Sequence, residues 1–171
     1  MGFMRRTASL AVLALMIAAG AHVSAQRPAD VVRWSAGAAG LAVKAGATVP
    51  VEITADVQEG WHLYALSQPK SGPIPLLFAV AKGKPFEIRA KEIVAPKAEV
   101  VKDPNFNLET HQYDGKVTFK VPVSAARTAT PGAHAVPIEI TFQACGNGIC
   151  LRPFTQTLSI DLTVSASTAA R

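Results

Sequence analysis

Apolar and polar residues alternate with a period of two over four stretches of the chain. Val49, Val51, Ile53, Ala55 and Val57 are interleaved with Pro50, Glu52, Thr54 and Asp56, and Val117, Phe119, Val121 and Val123 with Thr118, Lys120 and Pro122. The pattern returns at Ile138, Ile140, Phe142 and Ala144, and again at Leu158, Ile160, Leu162 and Val164. Successive side chains of a strand point to opposite faces, so each stretch predicts a strand with one buried face and one wet face. Shorter candidates lie at residues 31–34, 60–65 and 75–80. No stretch carries a sustained 3.6-residue apolar repeat, and 12 prolines and 12 glycines punctuate the chain at strand-length intervals. Such a pattern predicts an all-β sandwich or barrel. Pro122 and Pro137 interrupt two of the strands and predict edges or bulges, because proline donates nothing to a ladder.

Residues 82–114 fit the alternation least. They are rich in Pro, Lys and Asn and end in Phe106-Asn107-Leu108-Glu109-Thr110-His111-Gln112-Tyr113. A long irregular segment in a compact domain is usually functional or disordered. The aromatic residues and Leu108 favour a loop packed over something.

The first residues follow a different logic. Arg5 and Arg6 precede an uncharged apolar run, Leu10 to Ala18, and Val23-Ser24-Ala25 supplies a small-x-small cleavage signal. This is the layout of a secretory signal peptide over residues 1–25, cut after Ala25. It leaves one domain over residues 26–171, with its fold at about 27–164 and a frayed tail at 165–171. The mature chain is expected to be periplasmic or secreted. It carries no second long apolar run, so no membrane span is expected in it. The net charge of +5 includes the signal's arginines, and the other lysines are scattered rather than interleaved with aromatics. A nucleic-acid groove is therefore not expected. No glycine-rich phosphate loop follows a strand and no hydrolytic triad stands out, so no cofactor is expected.

Export places the two cysteines, Cys145 and Cys150, in an oxidising compartment where a disulfide persists. Extending the alternation from Ile138 puts Cys145 on the polar face at a strand end. Gly146-Asn147-Gly148-Ile149 has turn composition, and Cys150 begins the return toward Leu158. The sulfurs would staple the mouth of a hairpin. Directly opposed Cα atoms lie about 4.5–5.5 Å apart, against about 5.5–6 Å in relaxed disulfides, so a bridge can form with room for strain, and strained or exposed bridges are the reducible ones. An inter-sheet structural disulfide needs a longer separation. Closing so small a loop also adds only about 2 kcal/mol in the chain-entropy model. Spacing alone leaves a structural and a redox role evenly matched. Two thiolates with His111 and His134 would supply four zinc ligands, but nothing in the spacing orders those histidines around the cysteines. No metal site is expected.

Three patches give the chain a family resemblance. They are Glu59-Gly60-Trp61-His62-Leu63-Tyr64, Phe106 followed seven residues later by Tyr113, and Gln143-Ala144-Cys145 through Cys150-Leu151-Arg152-Pro153. Together they resemble the N-terminal periplasmic domain of the thiol:disulfide interchange protein DsbD. The resemblance implies an immunoglobulin-like β-sandwich whose cysteine pair passes electrons by thiol–disulfide exchange. Cys150 would be the sulfur attacked by a partner and Cys145 the resolving one. Phe106 would sit on a cap loop covering the pair, and Tyr64 and His62 would line the site. Arg152 would favour a thiolate. The implied partners are thioredoxin-like periplasmic proteins or isomerases. Because the chain ends at Arg171, with no membrane channel or thioredoxin-like domain after the resemblance, the membrane electron donor is expected on a separate chain. The family often places acids beside the cap aromatic. Here Pro104-Asn105 precede Phe106 and the nearest acid is Asp103, which puts carboxylate tuning of the thiols in doubt. The competing reading is a non-catalytic immunoglobulin-like binding or accessory module with a structural hairpin disulfide.

Overall fold

A computed structural model describes residues 26–37, 40–146 and 148–166. The expected signal peptide, residues 1–25, lies outside them, as do 167–171 of the expected tail; Ser165 itself is ordered as the last residue of a strand. A single helical turn, α1 (Pro28–Val31), leads into β1 (Val32–Ala36), β2 (Leu41–Lys44), β3 (Thr48–Val57), β4 (Trp61–Tyr64), β5 (Leu77–Val80) and β6 (Phe86–Ile88). A short 3-10 turn (Ala90–Glu92) is followed by β7 (Glu99–Asp103), β8 (Leu108–Tyr113), β9 (Lys116–Ala125) and β10 (Gly132–Phe142). The chain closes with β11 (Ala144–Gly146), β12 (Ile149–Cys150) and β13 (Phe154–Ser165).

The strands form three sheets, ordered β1-β3-β9-β6, β2-β13-β10-β5 and β12-β11-β4-β8-β7. The first two face each other as an immunoglobulin-like sandwich. Its core is made by the alternating residues read from the sequence: Val51, Ile53 and Ala55 of β3, Phe119, Val121 and Val123 of β9, Ile138, Ile140 and Phe142 of β10, and Leu162 and Val164 of β13 are all buried. Trp34 ties the sheets together, with its ring 5.9 Å from Phe78, 6.2 Å from Phe119 and 5.6 Å from Phe142. Edge-to-face and tilted contacts of this kind are the favourable arrangements for aromatic rings.

The two prolines lie elsewhere than expected. β9 and β10 are interior strands, each paired on both sides. Pro122 accepts from the Arg89 amide and Pro137 from the Ala81 amide, the residues just past the ends of β6 and β5. Each proline therefore falls where a short neighbouring strand stops and the ladder asks only for a carbonyl. Residues 82–114 are also more ordered than the alternation suggests, containing β6, the 3-10 turn and the hairpin β7–β8. β7 is an edge strand, exposed at Glu99, Val100, Val101 and Lys102. With no buried face it carries no period-two signal.

What positions the site is a change of sheet. β10 pairs with β13 through Phe142, and after Gln143 the chain continues as β11 against β4 in the third sheet. Gln143 secures the junction. Its Oε1 accepts from the Ile74 amide (3.1 Å), its Nε2 donates to the Leu151 carbonyl (3.4 Å), and its own carbonyl accepts from the Tyr64 amide.

Candidate functional site

Cys145 on β11 and Cys150 on β12 are register partners across the hairpin, 4.1 Å apart at Cα, and are joined by a disulfide. The Leu151 amide donates to the Ala144 carbonyl at the next rung. The cysteines thus occupy a non-hydrogen-bonded pair, the position where side chains on one face approach most closely. The predicted polar face for Cys145 is corrected here: its side chain is fully buried, whereas Cys150 is half-buried. The alternation that runs through β10 stops at Gln143, so extrapolating it past the sheet change places Cys145 on the wrong side. Gly146 makes the close approach possible, since a Cβ there would lie 2.2 Å from the Gly60 carbonyl oxygen and 2.9 Å from Trp61 Cα.

β4 supplies the neighbouring side chains. His62 is the register partner of Cys145, and Tyr64, two residues on, shares its face. Tyr64 is fully buried, with its hydroxyl 3.9 Å from Cys150 Sγ. The same hydroxyl donates to Asp103 Oδ2 at 2.5 Å. Asp103 is fully buried too, receiving Gln112 Nε2 on Oδ2 (3.3 Å) and the Asn105 amide on Oδ1 (2.8 Å). That last bond, from a carboxylate to the amide two residues on, nucleates the turn joining β7 to β8. Asn107 completes the turn in the left-handed region (φ 54°), which asparagine tolerates better than most residues. The turn presents Phe106, whose ring stands edge-on to Tyr64 at 5.9 Å.

Three of these groups are electrostatically linked. Burial pushes the Tyr64 phenol up, and its bond to Asp103 pushes it further, so it remains a proton donor. Burial alone would raise the Asp103 carboxyl, but the bonds from Tyr64 and the Asn105 amide, with His62 nearby, outweigh it and hold the group below the usual carboxylate range. Burial lowers His62, partly offset by Asp103 and Asp114. Its Nε2 lies 3.9 Å from Asp103 Oδ2 and has no hydrogen-bond partner although buried. With the Tyr64 proton committed to Asp103, the phenolic oxygen turns its acceptor side toward Cys150. A thiol at Cys150 would suit that oxygen, and the adjacent carboxylate disfavours a thiolate.

Phe106, Tyr64, His62, Cys145 and Cys150 are therefore drawn together at one end of the molecule, whereas the remaining candidates lie apart. His111 bonds the Ser67 carbonyl, and His134, packed on Phe86, bonds the Thr130 carbonyl at the far end of β10, so neither approaches the sulfurs. Arg152 is exposed and forms no ion pair among the described residues. The residue that sequence reasoning undervalued is Asp103. Asp103-Pro104-Asn105 is a turn signature, and reading it as a hairpin tip would have brought the carboxylate back to the site.

Comparison with known proteins shows the family and the fold. The family model described as thiol:disulfide interchange protein DsbD, N-terminal, matches residues 32–162. No curated protein matches the chain in sequence. Among solved structures, the N-terminal periplasmic domain of ScsB from Proteus mirabilis superposes with a TM-score of 0.52 at 15% identity, over 81% of this chain and 49% of that one. The chain thus spans about half the length of that structure. A family 123 glycoside hydrolase from Clostridium perfringens gives a TM-score of 0.44 at 9% identity, over 80% of this chain and 28% of that one. On its sandwich, its cysteine hairpin and the family match over most of its length, the chain belongs to the DsbD N-terminal domain family.

Proposed function

We propose that the Cys145–Cys150 pair is a redox carrier that exchanges its disulfide with thioredoxin-like proteins or isomerases outside the cytoplasm. Cleavage after Ala25 would release the domain there, and a membrane electron donor would supply the pair. Phe106, Tyr64 and His62 form its cap and lining. A partner thiolate attacks half-buried Cys150 Sγ, and Cys145 departs with the bonding electron pair. The partner's second thiolate then attacks the partner's own sulfur in the mixed disulfide and releases Cys150. The balance is two electrons and two protons into the pair and one disulfide into the partner.

The observation that carries this reading is the buried network over the disulfide. A staple for a short hairpin has no use for a buried carboxylate that holds a tyrosine hydroxyl 3.9 Å from one sulfur. Burying such a charge is costly unless it is hydrogen-bonded, and here the bonds that hold Asp103 also fix the hydroxyl beside the sulfur. The test is equilibration of the purified protein with glutathione and dithiothreitol couples. A midpoint above about −300 mV marks an exchangeable pair, and a lower one a structural bridge. In the latter case the domain is a non-catalytic binding or accessory module.

A further inference from the structure

The unpartnered imidazole of His62 lines the site, but neither makes nor breaks a bond in the exchange. Its Nε2 is buried without a hydrogen bond, yet the ring edges a depression of about 550 Å³ shared with Glu59, Trp61, Gln112 and Asp114. From Nε2 a series of polar atoms leads to the reactive sulfur: 3.9 Å to Asp103 Oδ2, 2.5 Å from there to the Tyr64 hydroxyl, and 3.9 Å from that hydroxyl to Cys150 Sγ. The His62–Asp103 step must therefore shorten to hydrogen-bond length for a proton to pass. The Tyr64 end lies beneath Phe106, whereas the His62 end borders the depression.

We propose that His62 takes up the proton that Cys150 gives up, through Tyr64 and Asp103, so that thiolate and imidazolium form together on opposite sides of the capped site. The proposal rests on the redox reading of the pair and assigns His62 as a positioning residue within it. In the reduced protein the Cys150 proton passes to the Tyr64 oxygen as the Tyr64 proton passes to the Asp103 carboxylate, and Asp103 hands that received proton on to His62 Nε2, leaving Tyr64 neutral and Asp103 ionised again. No bond between heavy atoms changes and no charge is created overall. The carboxylate that disfavours a lone thiolate is then neutralised from its far side by the imidazolium.

The surroundings suit this charge separation. The groups facing His62 are Tyr64 on its own strand, Asp103 and Glu99 from β7, Asp114 after β8, Glu59 before β4, and the cysteines from β11 and β12. Neither depression that His62 lines contains a lysine or an arginine. The carboxylates favour an imidazolium, and burial holds the ring neutral until the sulfur supplies a negative charge. Titration of such a pair belongs to both groups together.

Two measurements test the proposal, and neither needs a partner protein, so they stand or fall separately from the redox titration. The first follows the His62 ring resonances against pH in the oxidised and reduced forms of the unmutated protein. The reduced form should titrate at clearly higher pH; identical curves overturn the proposal. The second uses a Cys145→Ser chain, in which Cys150 is the sole thiol, and follows its alkylation by iodoacetamide from pH 5 to 9. Adding His62→Gln should slow alkylation at pH 7 by about threefold or more and move the profile to higher pH. The same substitution should have no effect in an Asp103→Asn background. An unchanged profile, or an equal effect in both backgrounds, removes the coupling.

Discussion

The two halves of this molecule bury different chemistry. The sandwich of β3, β9, β10 and β13 is closed by aliphatic and aromatic side chains, and Ser124 is the one polar residue buried within those four strands. Among the described residues the other buried polar ones, Asp103, Thr110, Gln112 and Gln143, all lie in the third sheet or at the junction leading to it. Hydrophobic burial is non-directional and supplies stability. Hydrogen-bonded burial is directional, and it fixes where a particular sulfur, hydroxyl and carboxylate stand. The division leaves the cysteine end free to carry a buried charge because the other end holds the fold.

Substitutions at each end sharpen or break that division. The largest effect is expected from Phe119→Ala, which empties a fully buried position between Trp34, Phe78 and Tyr113. It should cost about 3–5 kcal/mol in urea unfolding while leaving the midpoint potential of the disulfide where it was. A shifted potential would show that the halves are not separable.

Asp103→Ala comes next. It strips partners from the Tyr64 hydroxyl, Gln112 and the Asn105 amide, and should cost about 1–3 kcal/mol. The depressed Asp103 carboxyl also makes a pH prediction. Because its folded value lies below the unfolded one, its contribution is fully present above the unfolded pKa of about 3.9 and is lost as pH falls toward the folded value. The wild type should therefore lose stability on acidification below about pH 4, and Asp103→Asn should flatten that part of the curve. Parallel acid-unfolding profiles for the two proteins would contradict this electrostatic account of Asp103.

Gly146→Ala should have a comparable or slightly smaller effect, about 1–3 kcal/mol from overpacking, because the new Cβ meets the Gly60 carbonyl and the Trp61 backbone. Prising β11 off β4 should also speed reduction of the disulfide by dithiothreitol. Smallest in stability is Phe106→Ala, at the half-buried hairpin tip. Thermal unfolding should barely move, while the reduced pair should react several-fold faster with a small disulfide such as oxidised glutathione. An unchanged rate would mean that Phe106 is no lid.

Much of the sandwich was legible because period two is a local property: four alternating runs became β3, β9, β10 and β13 with their apolar faces inward. The turn between the cysteines was legible for the same reason, since Gly146 and Gly148 flank it and the two sulfurs lie five residues apart. β7 was not legible. As an exposed edge it shows no alternation, and its one buried residue, Asp103, is polar. The interior positions of Pro122 and Pro137 were hidden too, because they depend on where β6 and β5 end rather than on either proline's neighbours.

The amino-acid order by itself determined an all-β chain with a hairpin carrying two opposed cysteines, because strand alternation and turn preference act between residues a few positions apart. Only the tertiary structure decided that Cys145 points inward and that Asp103 returns across 39 residues to grip the Tyr64 hydroxyl. Both follow from the change of sheet at Gln143 and the pairing of β4 with β8. Those registers are set by the packing of distant strands and leave no periodic trace in the sequence.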